Sequence, residues 1–190
     1  GKLTIKGDTL YWEGIEIHNT LTERLVKMMQ ADFPVSPMIK FLENLMANPS
    51  YRAVNELYTF LEKNSLPITS DGYFLAFKKI RDNYLDVHSG TINNSVGTIV
   101  EMPRNMVNDN QNQTCSYGLH FCGESYLQHF RGERIVVLKI NPADVVSIPT
   151  DYNNSKGRCC KYEVVAEVTN TDLTTVFTAL VVDKVGNAEF

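Results

Sequence analysis

YRAVNELYTFLEKNSLPITSDGYFLAFKKI, residues 51–80, carries the change of period that decides the fold. Val54, Leu57, Tyr58 and Leu61 recur at the spacing of one helical face, with Ser50 placed to cap its start and Asn64 near its end. Pro67 and then Ser70-Asp71-Gly72 break that pattern. Residues 73–80 follow as a strand in which polar side chains begin only at Lys78. Helices are expected before this junction and strands after it.

Toward the N-terminus, Leu3-Thr4-Ile5, Leu10-Tyr11-Trp12 and Ile15-Glu16-Ile17 alternate between turn pairs, which predicts a small β-meander. Thr20 with Glu23 reads as a capping box for a helix whose apolar face is Leu21, Leu25, Met28 and Met29. Ser36-Pro37 reads as cap and first turn of a second helix carrying Met38, Phe41, Leu42, Leu45 and Met46, which Asn48-Pro49 stops. These stripes read as core, with the methionines filling gaps. Trp12, the lone tryptophan, is expected to pack between the two halves.

Toward the C-terminus, short strands are expected over residues 98–102, 118–122, 135–140, 145–148 and 162–168. Polar loops are expected over 105–114 and 151–157, and a short helix over 124–130. The tail from Thr171 fits strand or helix equally. The predicted class is α+β: an N-terminal β-meander plus three-helix unit, residues 1–66, packed on a mixed or antiparallel β-sheet unit, residues 67–190.

Composition limits the functions available. With 43% hydrophobic and 21% charged residues the 190-residue chain can bury a core, which excludes global disorder. The net charge is −4 and is evenly spread, so no basic face of the size a duplex nucleic acid needs is expected. No apolar run approaches the ~18 residues of a membrane span, and residues 1–10 lack the apolar stretch of a signal peptide. Cys115, Cys122, Cys159 and Cys160 contain no CxxC and read as reduced thiols.

Chemistry is sparse in the sequence. Cys115, His120 and Cys122 lie close together, but Cys-x4-His-x-Cys matches no common zinc spacing, and no metal is expected. There is neither GxGxxG nor a Walker lysine motif. Glu163 and Glu167 share a face of a regular strand, yet stand too far apart to share a proton. A binding protein is therefore expected rather than an enzyme, with no cofactor.

The residues that stand out are cations beside aromatics and turns. Lys78, Arg81 and Tyr84 close the 73–80 strand, with His88 beyond; Arg104 borders the long polar loop; Asp151, Tyr152, Asn153, Lys156 and Arg158 lie in the hydrophilic stretch before Tyr162. The plain reading is a solvated rim balancing Asp82, Asp86, Asp151 and Glu163, and sequence alone favours it. The sharper reading is a site for a small anionic nucleotide. Its phosphates would take charge-assisted bonds from Lys78, Arg81, Lys156 and Arg158, with Arg104 nearby. Tyr84, Tyr152 or Tyr162 would stack on its base, and His88 or His120 would add a donor. On that reading Arg158→Ala and Arg104→Ala weaken binding at least ~10-fold and leave the melting temperature nearly unchanged.

Longer motifs are also legible. They include Gly72-Tyr73-Phe74, Ala76-Phe77-Lys78, Asn83-Tyr84, His88-Ser89, Met102-Pro103-Arg104, Val107-Asn108-Asp109 and Gly118-Leu119-His120. Tyr126, His129-Phe130, Asp151-Tyr152-Asn153, Cys160, Tyr162-Glu163-Val164-Val165 and, upstream, Asn48-Pro49-Ser50 complete the string. It resembles the rIIB proteins of T-even-type bacteriophages, over nearly the whole chain up to about Val168. Members of that family can carry an upstream helix-turn-helix-like segment, which this string does not include.

The resemblance implies a phage early protein tied to lysis inhibition and to overcoming prophage-encoded exclusion. It implies no defined reaction. It implies action in the cytoplasm of the infected bacterium, with peripheral attachment to the inner membrane a variant of that placement. Two mechanisms fit: sequestration of a nucleotide-type immune signal, or a protein-interaction module working with an rIIA-like partner or against a host defence protein. Homo-oligomerisation is compatible with either. A third and weakest reading is a nucleotide-modifying enzyme, because the β-rich order faintly resembles an ADP-ribosyltransferase layout; the Ser-Thr-Ser and Glu-x-Glu elements of those enzymes are absent.

Overall fold

Asn19 starts the first helix, α1 (Thr20–Gln30), and not the Thr20–Glu23 pair. Its side chain accepts from the Thr22 backbone N–H at 2.9 Å, while the Thr22 hydroxyl accepts from the Asn19 N–H at 2.9 Å. Glu23 is thereby left to meet His18 at 3.2 Å. The computed structural model describes residues 1–113, 116–129, 132–148 and 156–169. In α2 (Ser36–Met46), Ser36 is the first helical residue and makes no side-chain cap; Pro37 in the first turn sets the start instead. Ser50 caps α3 (Tyr51–Lys63), accepting from the Ala53 N–H at 3.2 Å.

The meander is present as β1 (Leu3–Lys6), β2 (Thr9–Trp12) and β3 (Ile15–Ile17), paired antiparallel in that order. Leu10, and not Trp12, is the residue it buries completely. The concavity between meander and α1 has Leu10, Ile17 and Val26 in its lining, and Trp12 is not part of that lining. Trp12 is half-buried, with the Lys2 ammonium 5.9 Å from its ring centroid.

Among the described residues seven strands form the second sheet: β4 (Phe74–Ile80), β5 (Ile99–Glu101), β6 (Leu119–Cys122), β7 (Arg134–Ile140), β8 (Val145–Ser147), β9 (Lys156–Cys159) and β10 (Lys161–Glu167). Their order is β5-β10-β7-β4-β6-β9-β8, and every described pairing is antiparallel. β9 and β10 occupy the sixth and second places, yet only Cys160 separates them in the chain. In a flat sheet four inter-strand steps of ~4.8 Å would hold them about 19 Å apart, whereas one linking residue spans ~7 Å at most. The sheet therefore rolls on itself. Cys160 sits at the seam: its N–H donates to the Asp144 carbonyl at 3.0 Å and its carbonyl accepts from the Met102 N–H at 2.9 Å.

The helices bury their faces against this rolled sheet. Phe60 of α3 meets Phe121 of β6 edge-on at 6.0 Å, and Phe121 meets Phe74 of β4 at 5.5 Å. Gly72, at φ +78°, lies so close to α2 that a Cβ would stand 2.4 Å from the Lys40 carbonyl carbon. Between Val164 and Ala166 the β10–β7 register shifts, interrupting the alternation on which a shared face for Glu163 and Glu167 depends. Glu163 lies opposite Lys139, while Glu167 pairs with Arg134 at 2.9 Å.

Candidate functional site

β4 and β6 are in register at Phe77 and Cys122 alone, so the strands part beyond that point. Lys78 fills the gap. Its ammonium donates to the His120 carbonyl at 2.7 Å and lies 5.7 Å from the Tyr162 ring centroid. Burial holds its pKa below the ordinary lysine value. Tyr162 is itself buried, and its hydroxyl donates to Asn94 Oδ1. Burial, and then Cys159 and Asp86, push that phenol above its usual range. The ring is thus an inner wall, not a platform open for a base.

β6 and β9 set His120 opposite Arg158 and Cys122 opposite Lys156, and directly opposite residues project from the same face. Burial and then the charges of Lys78, Lys156, Arg158 and His88 push the His120 pKa down to about 3, so the imidazole is neutral at physiological pH. Its Nε2 is buried without a hydrogen-bond partner among the described residues. Lys156 is buried, its ammonium 5.2 Å from the centroid of Tyr126.

Arg158 departs most from the sequence reading. Residues 156–158 were expected in an exposed loop, but they form β9, and Arg158 is 1% exposed. Its Nε donates to the Asn108 carbonyl at 2.7 Å, one Nη to the Gln113 carbonyl, and the other to the Asn110 carbonyl at 2.7 Å and Ser147 Oγ at 3.0 Å. The side chain clamps the polar loop of residues 108–113. Arg104 is likewise occupied: it donates to the Ala143 and Val145 carbonyls at 2.8 and 3.0 Å and to Asn48 Oδ1 at 2.8 Å. Each fork holds backbone together, so replacing either arginine is now expected to lower the melting temperature and not to spare it.

The remaining predicted residues scatter. Arg81 donates to the Val87 carbonyl at 2.9 Å and lies against Gly90. Tyr84, at φ +67°, lies 4.4 Å beneath the Arg134 guanidinium and donates to Glu167 at 3.3 Å. His88 is exposed and contributes through its field on His120. Asp151, Tyr152 and Asn153 fall outside the described residues, as do Cys115 and the tail from Thr171. The structure brings Lys78, His120, Lys156 and Arg158 together and leaves Arg81, Tyr84 and Arg104 apart.

Tyr126 and Gln111 were missed as site residues. Tyr126 lay in one of the motifs without a role, and Gln111, whose Oε1 is buried and has no partner among the described residues, was one amide among several in a polar loop. Asp86 anchors the loop after β4. Burial alone would raise its pKa, but N–H donors of Ile92, Ser89 and Thr91 and the Ser89 hydroxyl hold it down at about 2. Cys122 and Cys159 donate to the Phe77 and Leu119 carbonyls, and burial raises both thiols, Cys122 to about 12. Neither is poised as a nucleophile. Among the described residues no group of three His, Cys, Asp or Glu side chains is placed to hold a metal, and no helix is long and apolar enough to cross a membrane.

These features define an α+β protein whose rolled antiparallel sheet gathers basic side chains around a neutral histidine. The chain belongs to the family described as bacteriophage T4 protein rIIB, whose profile matches residues 2–185. It is 48% identical over 171 residues to protein rIIB of Enterobacteria phage T4. That match covers 89% of this chain and 55% of the relative, so the chain spans about half the relative's length. No solved structure matches.

Proposed function

We propose that this rIIB-family chain is a binding protein that holds a phosphate-bearing, nucleotide-type signal in the infected host without turning it over. The observation that carries this reading is the electrostatic setting of His120. Besides burial, the groups that push its pKa down are the basic side chains of Lys78, Lys156, Arg158 and His88, and its Nε2 has no partner among the described residues. A field of one sign around a buried polar atom favours an anion. The phosphate would lie along the His120–Lys156 face, with Tyr126 beside it.

Native mass spectrometry of the chain purified from infected cells tests the reading, followed by calorimetric titration with NAD and cyclic nucleotides. One nucleotide per chain, recovered unmodified, is the expected result. No copurifying nucleotide and no heat of binding would overturn it.

The alternative, a module that docks an rIIA-like phage protein or a host defence protein, is favoured by a different observation. Val96, Ile99, Met106 and Tyr117 are large, exposed and apolar, and the first two flank or lie on edge strand β5. Loss of a crosslinked partner on Ile99→Asp would favour this reading over the first.

A further inference from the structure

We infer that residues 108–113 form a displaceable strap over the anion site, whose backbone carbonyls occupy the Arg158 fork until a phosphate takes their place. This rests on the nucleotide-binding reading above and adds the group that grips the ligand and the movement that admits it. Three observations carry it.

First, the strap is what covers Arg158. Asp109, Asn110, Asn112 and Gln113 are exposed outward, while the carbonyls of residues 108, 110 and 113 point inward to the guanidinium. Those three acceptors and Ser147 Oγ are neutral oxygens. A guanidinium binds a phosphate's paired anionic oxygens more strongly than it binds separate carbonyls, so the exchange is favourable once the ligand is present.

Second, the strap's side-chain contacts within residues 108–116 are polar. Asn108 Nδ2 donates to Gln113 Oε1 at 2.5 Å and Ser116 Oγ at 2.7 Å, and Asn108 Oδ1 accepts from the Asn110 N–H at 2.8 Å. No apolar residue lies between Val107 and the end of the strap. Such a segment can open without disturbing the core.

Third, the closed arrangement is imperfect at this place. Gln111 Oε1 and His120 Nε2 are the buried side-chain polar atoms without a partner among the described residues. One lies in the strap, and the other lies on the residue opposite Arg158. An opened strap hydrates the first, and a bound phosphate oxygen accepts from the second in its Nε2–H tautomer.

The test is amide hydrogen exchange of the intact chain with and without inorganic pyrophosphate or ADP, alongside calorimetric titration of the same samples. Exchange across residues 108–113 should accelerate at least ~10-fold at saturation, while α3 and β7 stay protected. Asn108→Ala loosens the strap without touching Arg158, so it should bind pyrophosphate about threefold tighter or better, because the competing closed state is depopulated. Binding with unchanged strap exchange, or a weaker Asn108→Ala, would overturn the strap and leave the binding site standing. No binding of either probe to the unaltered chain would overturn the site itself.

Discussion

Arg104 Nη2 donates to Asn48 Oδ1 at 2.8 Å across 56 residues of chain. Around that bond Asn48 Nδ2 donates to the Pro142 and Val145 carbonyls at 2.8 Å, and Asn48 Oδ1 also accepts from the Ser50 N–H at 2.9 Å. One buried asparagine thus joins the α2–α3 connection, the segment after β5 and the start of β8.

Arg104→Ala and Asn48→Ala should each cost about 2–3 kcal/mol, since both leave carbonyls unpaired and Arg104 removes charge-assisted bonds. Because they bond each other and share the Val145 carbonyl, the double variant should fall short of additivity by ~1 kcal/mol or more in urea unfolding. Strict additivity would show that the hub is two independent contacts.

Arg158→Ala should destabilise the chain by ~3 kcal/mol or more, lowering its melting temperature by roughly 6–12 °C. Three loop carbonyls and the Ser147 hydroxyl lose their donor. A scanning-calorimetry trace that matches the parent would contradict the clamp.

Acid should unfold the chain in two ranges. The unfolded state protonates its histidine near pH 6.5, whereas His120 in the folded state stays neutral until about 3, so stability falls as pH drops between those values. Asp86 has the opposite chemistry and the same sense. Its contribution is complete above its ordinary value of 3.8 and is lost as pH falls toward about 2. His120→Gln should flatten the urea midpoint between pH 6.5 and 4, and Asp86→Asn should flatten it only below 4. If His120→Gln leaves the upper slope unchanged, the neutral-imidazole assignment is wrong.

Gly72→Ala should abolish recovery of folded protein or cost several kcal/mol. The new methyl combines an unfavourable φ of +78° with contacts of 2.4 and 2.6 Å to α2 backbone atoms, which no side-chain rotation relieves. Soluble protein with parental melting would mean that α2 shifts freely.

Periodicity made the helices and most strands legible, because Phe41, Leu42, Leu45, Leu57 and Leu61 repeat at helical spacing and residues 135–138 are continuously apolar. Caps were less legible: Asn19 and Thr20 are both good caps, and only the backbone geometry at Asn19 decides between them. β9 was missed for a definite reason. Lys156-Gly157-Arg158 has the composition of a loop, and its burial depends on acceptors from residues 108–113, far away in the chain. The cations of the site were legible as residue types, but their duties were not. A hydrogen bond from Arg158 or Arg104 to a distant carbonyl leaves no mark in local sequence, since every residue supplies that acceptor.

The corner at Cys160 also governs the order in which the chain assembles. β9 and β10 are consecutive yet do not pair with each other: β9 pairs with β6 and β8, and β10 with β7 and β5. No local hairpin can nucleate at that corner, so both strands wait for partners contributed by earlier segments. β10 is templated by β7 and β5, and β9 by β6 and β8, all of them earlier in the chain. The helices form through local contacts and gain their structure early, while closure at Cys160 is a late and comparatively slow event. Until it occurs, the edges of β6 and β7 that face away from β4 are unpaired, and such open edges are where misassembly starts.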